Sequence, residues 1–242
     1  MDAPAPAPSN TRRSLLAYVG PFALFCLLQA LPGFVKPGTT TSATPFWQAA
    51  PEFWVYPLQA LLCGAMLLFY RREYPRQSGA AGLGFGALIG VVVFVLWIAP
   101  QAFLHFAPRT DGFDPTRVLV PGAAAGGTAY AATVALRFAR LVLVVPWLEE
   151  VFWRGFLLRY LVKEDFRSLP MGAWSWLSFG VVMLGFMFEH TRPDWPAALL
   201  TGALYNWVAI RTRSLPACIL SHALTNLLLG VYVMQTRQWG FW

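Results

Sequence analysis

The amino-acid sequence predicts an all-α fold, a polytopic transmembrane helical bundle of about seven spans. Hydrophobic residues make up 57% of the 242 residues and charged residues only 12%, whereas soluble domains carry roughly 25% charge. The mean hydropathy is +0.52. Several apolar runs approach the ~20 residues that a helix needs to cross a bilayer. This composition excludes an ordinary soluble domain.

Seven apolar segments carry the predicted spans, at residues 15–31, 53–70, 82–106, 129–148, 174–190, 197–210 and 215–234. The fourth is the least regular, because Arg137 and Arg140 lie early in it and Pro146 lies near its end. A proline removes a backbone hydrogen bond. We therefore expect the fourth segment to be kinked, partly submerged, or divided into two short helices.

Basic residues at the ends of the spans predict the orientation of the chain. Ten lie on the side of the N-terminus: Arg12, Arg13, Arg71, Arg72, Arg76, Arg159, Lys163, Arg167, Arg211 and Arg213. The opposite side has Lys36, Arg109, Arg117, Arg192 and Arg237. The positive-inside rule then predicts a cytoplasmic N-terminus. Because these flanking residues also account for the formal net charge of +7, we expect no nucleic-acid partner.

Two adjacent carboxylates and an arginine lie in one of the most apolar parts of the chain. Ionisable groups at membrane depth cost roughly 2.5–3.5 kcal/mol each on insertion scales, so such a cluster implies pairing and a function. On a helix, Glu150 and Arg154 are at i and i+4, where a carboxylate and a guanidinium meet. Glu149 projects about 100° away and is free for chemistry. The structural alternative is an ion-pair cluster that locks two helices.

Two further polar sets occur in later spans. Phe186, Glu189 and His190 lie at the end of the fifth span, and His222 and Asn226 lie within the seventh. If these helices form a bundle, the histidines and the asparagine converge with the free glutamate on one cavity. Such a set suits the attack of water on an amide, with a glutamate as general base and the other groups as proton carriers or oxyanion donors. Hydrogen bonding between helices is the structural alternative for His222 and Asn226.

Zinc is the alternative chemistry, because Glu149, Glu150, His190 and His222 offer nitrogen and oxygen ligands that zinc accepts. However, the sequence has no His-Glu-x-x-His pair on one helix, so we expect no metal and no other cofactor. Asn206, with Tyr205 in the sixth span, is a candidate for the cavity wall. Glu189 adds a carboxylate that either couples to the titration of His190 or points to the loop.

The order of these motifs resembles that of the CPBP family, which comprises CAAX prenyl endopeptidases and bacteriocin-processing or immunity (Abi) proteins. Three motifs on successive spans carry the resemblance: Glu149-Glu150-x-x-x-Arg154, Phe186-x-x-x-His190 and His222-x-x-x-Asn226. The resemblance covers about residues 147–230. Residues 189–195, 225–227 and 239–242 are also similar to the bacterial branch associated with exosortase systems, called CAAX prenyl protease-related.

The resemblance implies a glutamate-dependent intramembrane endopeptidase that needs no metal. In this scheme Glu149 and His190 activate water, and His222 and Asn226 form the oxyanion site. Phe186 belongs to the supporting residues, together with Glu150 and Arg154, which brace the helix.

We therefore divide the chain into a disordered cytoplasmic tail (residues 1–14), an N-terminal transmembrane region (15–128) and a CPBP-like catalytic core (129–242). We predict a multi-pass protein of the bacterial cytoplasmic membrane. Its partners are the lipid bilayer and a peptide or lipidated protein substrate, and the sequence does not determine the oligomeric state. The alternative is a non-catalytic binding, immunity or assembly protein of a sorting or export system.

Overall fold

The computed structural model describes residues 11–41, 43–118 and 127–242, and within these ranges all regular elements are helical. Short helical turns connect seven longer helices. These are α1 (Thr11–Val35), α2 (Glu52–Tyr70), α3 (Ala80–Ala102), α4 (Thr128–Tyr160), α5 (Trp176–Phe188), α6 (Trp195–Thr212) and α7 (Leu215–Thr236).

Five of these helices, namely α1, α2, α3, α4 and α7, are long and apolar enough to cross a membrane. Helix α5 is apolar but has only 13 residues, about 20 Å, which is short of a ~30 Å hydrocarbon core. The seven predicted spans each fall on one helix, but length and composition support a crossing for five. Large apolar side chains such as Leu27, Phe69 and Leu177 remain exposed. The chain is thus a multi-pass helical membrane protein.

The start of α5 is set by a capping box. Ser175 accepts a hydrogen bond from the backbone of Ser178, and the Ser178 hydroxyl accepts one from the backbone of Ser175. Because these reciprocal bonds satisfy backbone groups that the first helical turn leaves free, the helix begins at Trp176. The predicted fifth span, 174–190, is accordingly longer than the helix at both ends.

Helix α4 is continuous over 33 residues but contains two π-helical segments. Residues Ala139–Val144 and Val151–Leu157 are π-helical, and the ordinary α-helical turn Val145–Glu150 lies between them. In the first π segment the N–H of Val145 bonds to the carbonyl of Arg140, five residues back. Such segments occur frequently at functional sites. The expected irregularity of the fourth span is therefore a change of helical winding within one helix.

Helix α4 also lies between the two apolar cores of the bundle. Leu148 and Val151 pack into a core formed with α1 and α2. Trp153 and Leu158 pack into a second core, which α3, α5, α6 and α7 complete. Both cores therefore hold the helix that carries the two adjacent glutamates.

Helices α3 and α7 approach closely at a glycine pair. A Cβ atom on Gly86 or Gly90 would lie 2.5 Å from the carbonyl oxygen of Ala217 or Ser221, respectively. The two glycines form a Gly-x-x-x-Gly pattern, which allows helices to pack closely in membranes. Thr225 donates to the carbonyl of Gly90 at 2.8 Å. This contact fixes the position of α7 relative to α3.

Two parts of the predicted organisation fall at or beyond the limits of the described residues. Residues 1–10 of the predicted tail lie outside them, whereas residues 11–14 form the first turn of α1. Within the predicted loop 111–128, residues 119–126 lie outside the described part of the chain.

Gly90→Leu should destabilise the protein, because the new side chain meets the α7 backbone. We expect the free energy of unfolding to fall by at least ~2 kcal/mol, as in overpacked cores. Thermal unfolding of the purified protein in detergent measures the change. Gly84→Leu is the matched control on the same helix, since a Cβ atom at Gly84 meets nothing within 4 Å. Equal stability of the two variants would contradict the close packing.

Candidate functional site

A cavity of about 670 Å³ lies among the helices of the bundle, within the size range of ligand-binding pockets. Helices α1, α3, α4, α6 and α7 and the end of α5 contribute to its wall. Six side chains of the predicted site line it: Glu149, Phe186, Glu189, His190, His222 and Asn226. The bundle therefore brings residues from separate helices to one space.

Behind this wall, Glu150 and Arg154 form a fully buried ion pair. The Nη1 atom of Arg154 donates to Oε1 of Glu150 at 2.9 Å. The same guanidinium donates from Nε to Oδ1 of Asn206 at 3.1 Å and from Nη2 to the carbonyl of Gly202 at 3.3 Å. It also lies over the ring of Phe186, 5.0 Å from the centroid. These contacts satisfy a charge that would otherwise be costly to bury.

The carboxylate of Glu150 also fixes the ring of His222. Its Oε1 atom lies 3.0 Å from Nδ1 of His222. Because a carboxylate only accepts, Nδ1 carries the proton, and Nε2 is the second functional atom of the ring. That Nε2 atom lies 4.0 Å from Oε2 of Glu149. Glu150 therefore has two partners, the arginine that was predicted and a histidine on another helix.

The carboxylate of Glu149 lies in the cavity wall and is nearly buried. Only 6% of the residue is exposed, and its Oε2 atom has no hydrogen-bond donor within the described part of the chain. Such a buried, unpartnered acceptor is costly, so it marks a position where a ligand or a water supplies the donor. The free carboxylate oxygen and Nε2 of His222 both face this position.

His190 lies just beyond the last residue of α5, and its own helix orients it. Its Nδ1 atom is 2.8 Å from the carbonyl of Phe186, so this nitrogen carries the proton and Nε2 is the acceptor of a neutral ring. The ring also packs against Trp97, with centroids 5.4 Å apart. Burial lowers the pKa of His190, which favours the neutral ring at neutral pH. A neutral His190 can accept a hydrogen bond from water.

Glu189 contributes a second carboxylate to the cavity. Its Oε2 atom accepts a hydrogen bond from Nε1 of Trp153 at 3.1 Å, while Oε1 is buried without a partner among the described residues. Burial raises the pKa of Glu189 to about 7. Of the two orientations considered from the sequence, the side chain lies in the cavity wall. Its charge therefore changes near neutral pH.

Asn226 is held by a carbonyl that Pro146 leaves without a donor. In the π-helical register the carbonyl of Leu141 would accept from residue 146, but a proline has no N–H. The Nδ2 atom of Asn226 donates to this carbonyl at 2.8 Å instead. An asparagine amide carries two N–H groups, so one remains for a ligand.

Asn206, a candidate for the cavity wall, is not among the residues that line the cavity. Its side chain is fully buried, and it links Arg154 to the carbonyl of Phe179, to which its Nδ2 atom donates at 3.2 Å. It thus supports the ion pair, whereas the neighbouring Tyr205 lines the cavity and donates to Thr225 at 2.8 Å.

A loop and the C-terminal segment form another part of the cavity wall. The N–H of Gly240 donates to the carbonyl of Arg109 at 2.9 Å. The guanidinium of Arg109 is paired with Asp194, with its Nη1 atom 2.5 Å from Oδ1, and it lies over the ring of Phe241. Sequence reasoning did not place these residues at the site, because their pairing joins distant parts of the chain.

The comparisons with known proteins agree with the position of this site. Residues 131–228 match the family described as Rce1-like, type II CAAX prenyl endopeptidase. The matched segment runs from α4 into α7 and includes all three motifs, which confirms the resemblance predicted from them. Comparison with curated proteins and with solved structures gave no match. The family is one of endopeptidases, which supports an enzyme.

Arg154→Ala should destabilise the protein strongly, because it leaves Glu150 charged and buried without its cation. Breaking a buried pair in this way typically costs about 3–5 kcal/mol. Thermal unfolding in detergent measures the loss. Arg211→Ala, on the exposed face of α6, is the control and should change the stability little. Equal effects of the two substitutions would mean that the buried pair contributes nothing specific.

The charge of Glu189, whose pKa is near 7, should affect the pH dependence of the activity. When this carboxylate is charged, the added negative charge opposes ionisation of Glu149 in the same cavity. Because Glu149 must be ionised to act as a base, we expect kcat/KM to rise with pH and Glu189→Gln to move this rise to lower pH. Exposed Glu164→Gln is the control. An identical profile for wild type and Glu189→Gln would disprove the assignment.

Proposed function

We propose that this chain, whose residues 131–228 match the Rce1-like type II CAAX prenyl endopeptidase family, is an intramembrane endopeptidase. It hydrolyses a peptide bond of a membrane-associated or lipid-modified polypeptide with water that Glu149 activates. One observation carries the proposal. The unpartnered Oε2 of Glu149 faces Nε2 of His222 at 4.0 Å inside a cavity that also holds His190 and Asn226.

In this mechanism Glu149 is the general base. It takes a proton from water while the water oxygen bonds to the carbonyl carbon of the scissile peptide. The Nε2 atom of neutral His190 accepts a second hydrogen bond from the same water and orients it. The C–N bond then breaks, and the proton held by Glu149 passes to the leaving nitrogen. The products are a carboxylic acid and an amine.

The oxyanion that forms on the carbonyl needs hydrogen-bond donors. The second N–H of Asn226 is one donor, since the first is bonded to the carbonyl of Leu141. His222 is the other when its ring is protonated, because Nδ1 is already directed to Glu150 and only a protonated ring also donates from Nε2. Glu150 thereby positions a catalytic group as well as pairing with Arg154.

The proposal also includes the membrane in which the protein lies and its orientation there. The basic residues that flank the helices support a cytoplasmic N-terminus and a place in the bacterial cytoplasmic membrane. The motif residues and the C-terminal sequence support the exosortase-associated, CAAX prenyl protease-related branch. The chemistry proposed needs water and no metal.

Glu149→Gln should abolish cleavage while leaving the fold intact, because the amide has nearly the same shape but cannot accept a proton. We would compare the termini of membrane-associated polypeptides by mass spectrometry in cells with wild type or variant at equal expression. Termini found only with wild type would establish proteolysis and identify substrates. Identical termini, with the same partners retained by both forms, would favour the non-catalytic binding, immunity or assembly protein.

Removal of metal ions should leave the activity unchanged. Within the described residues no group of three or more His, Cys, Asp or Glu side chains is placed to hold a metal ion. We expect the same rate of Glu149-dependent cleavage before and after dialysis against a chelator. Loss of the rate, with recovery on addition of zinc, would replace the proposed mechanism with a metal-dependent one.

A further inference from the structure

Arg140, on the π-helical part of α4, is a buried cation whose hydrogen-bond partners among the described residues are neutral. Only 5% of the residue is exposed. Its Nε atom donates to Oε1 of Gln59 at 2.8 Å, and Nη2 donates to Oε1 of Gln29 at 3.0 Å. The guanidinium lies over the rings of Tyr56 and Phe25, at 4.4 and 5.1 Å from the centroids. Helices α1 and α2 thus provide its surroundings.

This arrangement leaves a positive charge without a counterion among the described residues. A guanidinium stays protonated in proteins, and an uncompensated charge in an apolar interior is costly. The glutamine side chains around Arg140 are also held in place, because Gln59 donates to the carbonyl of Phe25 at 3.1 Å and to Gln29 at 3.0 Å. A charged side chain held in this way within a membrane span indicates a binding function.

Arg140 lines the same cavity as Glu149. The two residues are nine positions apart, roughly 13 Å along an α-helix and about two and a half turns, which would place them on opposite faces. The π-helical turns between them change this phase, and both side chains reach the cavity. A group bound at Arg140 would therefore lie in the same cavity as the base.

The other charged groups of the cavity wall are acidic or already paired. Glu149, Glu189 and Asp111 are carboxylates, and the cation of Arg109 is committed to Asp194. An anion entering the cavity is consequently repelled by most of the wall. The guanidinium of Arg140 is the part of the wall that would attract an anion. Its Nη1 atom has no hydrogen-bond partner in the described part of the chain, so a donor is available.

We propose that Arg140 determines substrate specificity by binding a carboxylate of the polypeptide, supplied either by its C-terminus or by an Asp or Glu side chain. The planar guanidinium suits a carboxylate, which accepts from two N–H groups together. The proposal rests on the endopeptidase function proposed above. It also assigns a role to α1 and α2, which lie outside the matched residues 131–228 and hold the arginine in place.

The test uses the full chain in detergent micelles and a pool of synthetic peptides, with and without a lipidated cysteine. Each peptide is made with a free C-terminal acid and with a C-terminal amide, and its acidic side chains are replaced by Asn or Gln in a further series. Mass spectrometry gives the ratio of kcat/KM for the carboxylate and neutral forms. For wild type we expect a ratio of at least ~10, typical of a hydrogen bond to a charged group.

Arg140→Gln should bring this ratio close to 1, and Arg140→Lys should retain part of it. If Arg140→Gln does not fold, Gln59→Glu serves as the second variant, since it places a carboxylate against Arg140 and should lower the ratio too. Loss of preference on amidation assigns the C-terminal carboxylate, and loss in the Asn and Gln series assigns a side chain.

Two negative results are distinguishable. Cleavage that depends on Glu149 but is indifferent to substrate carboxylates, or a ratio unchanged in the Arg140 variants, would overturn the role of Arg140 alone. Absence of any Glu149-dependent cleavage by wild type across the pool would overturn the endopeptidase function, and the specificity proposal with it.

Discussion

The buried carboxylate of Glu150 is the constraint on which the site depends. An ion pair in an apolar interior is stable only when further hydrogen bonds help to offset the desolvation of its charges. Here Arg154 is shared among Glu150, Asn206 and the carbonyl of Gly202, so the pair joins α4 to α6. The remaining contact of Glu150, with His222, joins α4 to α7. One carboxylate therefore fixes the relative positions of three helices.

The two adjacent glutamates have different surroundings for the same reason. Neighbours on a helix point about 100° apart, so Glu150 turns into the protein while Glu149 turns into the cavity. Glu150 orients the ring of His222 through Nδ1, which leaves Nε2 facing Glu149. A carboxylate that holds a histidine in one tautomer, with the other nitrogen presented to the reacting groups, is also the arrangement of serine protease triads. The ion pair is thus structural, and in the proposed mechanism it also positions His222.

The sequence predicted the features that depend on local spacing, and missed those that depend on distant contacts. Helical i, i+4 spacing and the cost of burying charge placed Glu150 with Arg154, whereas the close approach of α3 and α7 at Gly86 and Gly90 was not predicted. The sequence pattern did not predict the π-helical winding or the Leu141 carbonyl that Pro146 leaves without a donor. Both depend on the backbone hydrogen-bond register of the helix. The environment of Arg140 comes from α1 and α2, far away in sequence. About seven spans were predicted, whereas length and composition support a crossing for five helices, and the capping box is one reason why α5 is shorter than its predicted span.

The tautomer of His222 tests the central claim most directly. The chain has three histidines, so ¹⁵N labelling of histidine gives a spectrum that single His→Gln variants can assign. The account predicts that Nδ1 of His222 is protonated and hydrogen-bonded to Glu150, and that Glu150→Gln alters the ¹⁵N pattern of this ring. A neutral His222 ring protonated at Nε2, unaffected by Glu150→Gln, would contradict the account.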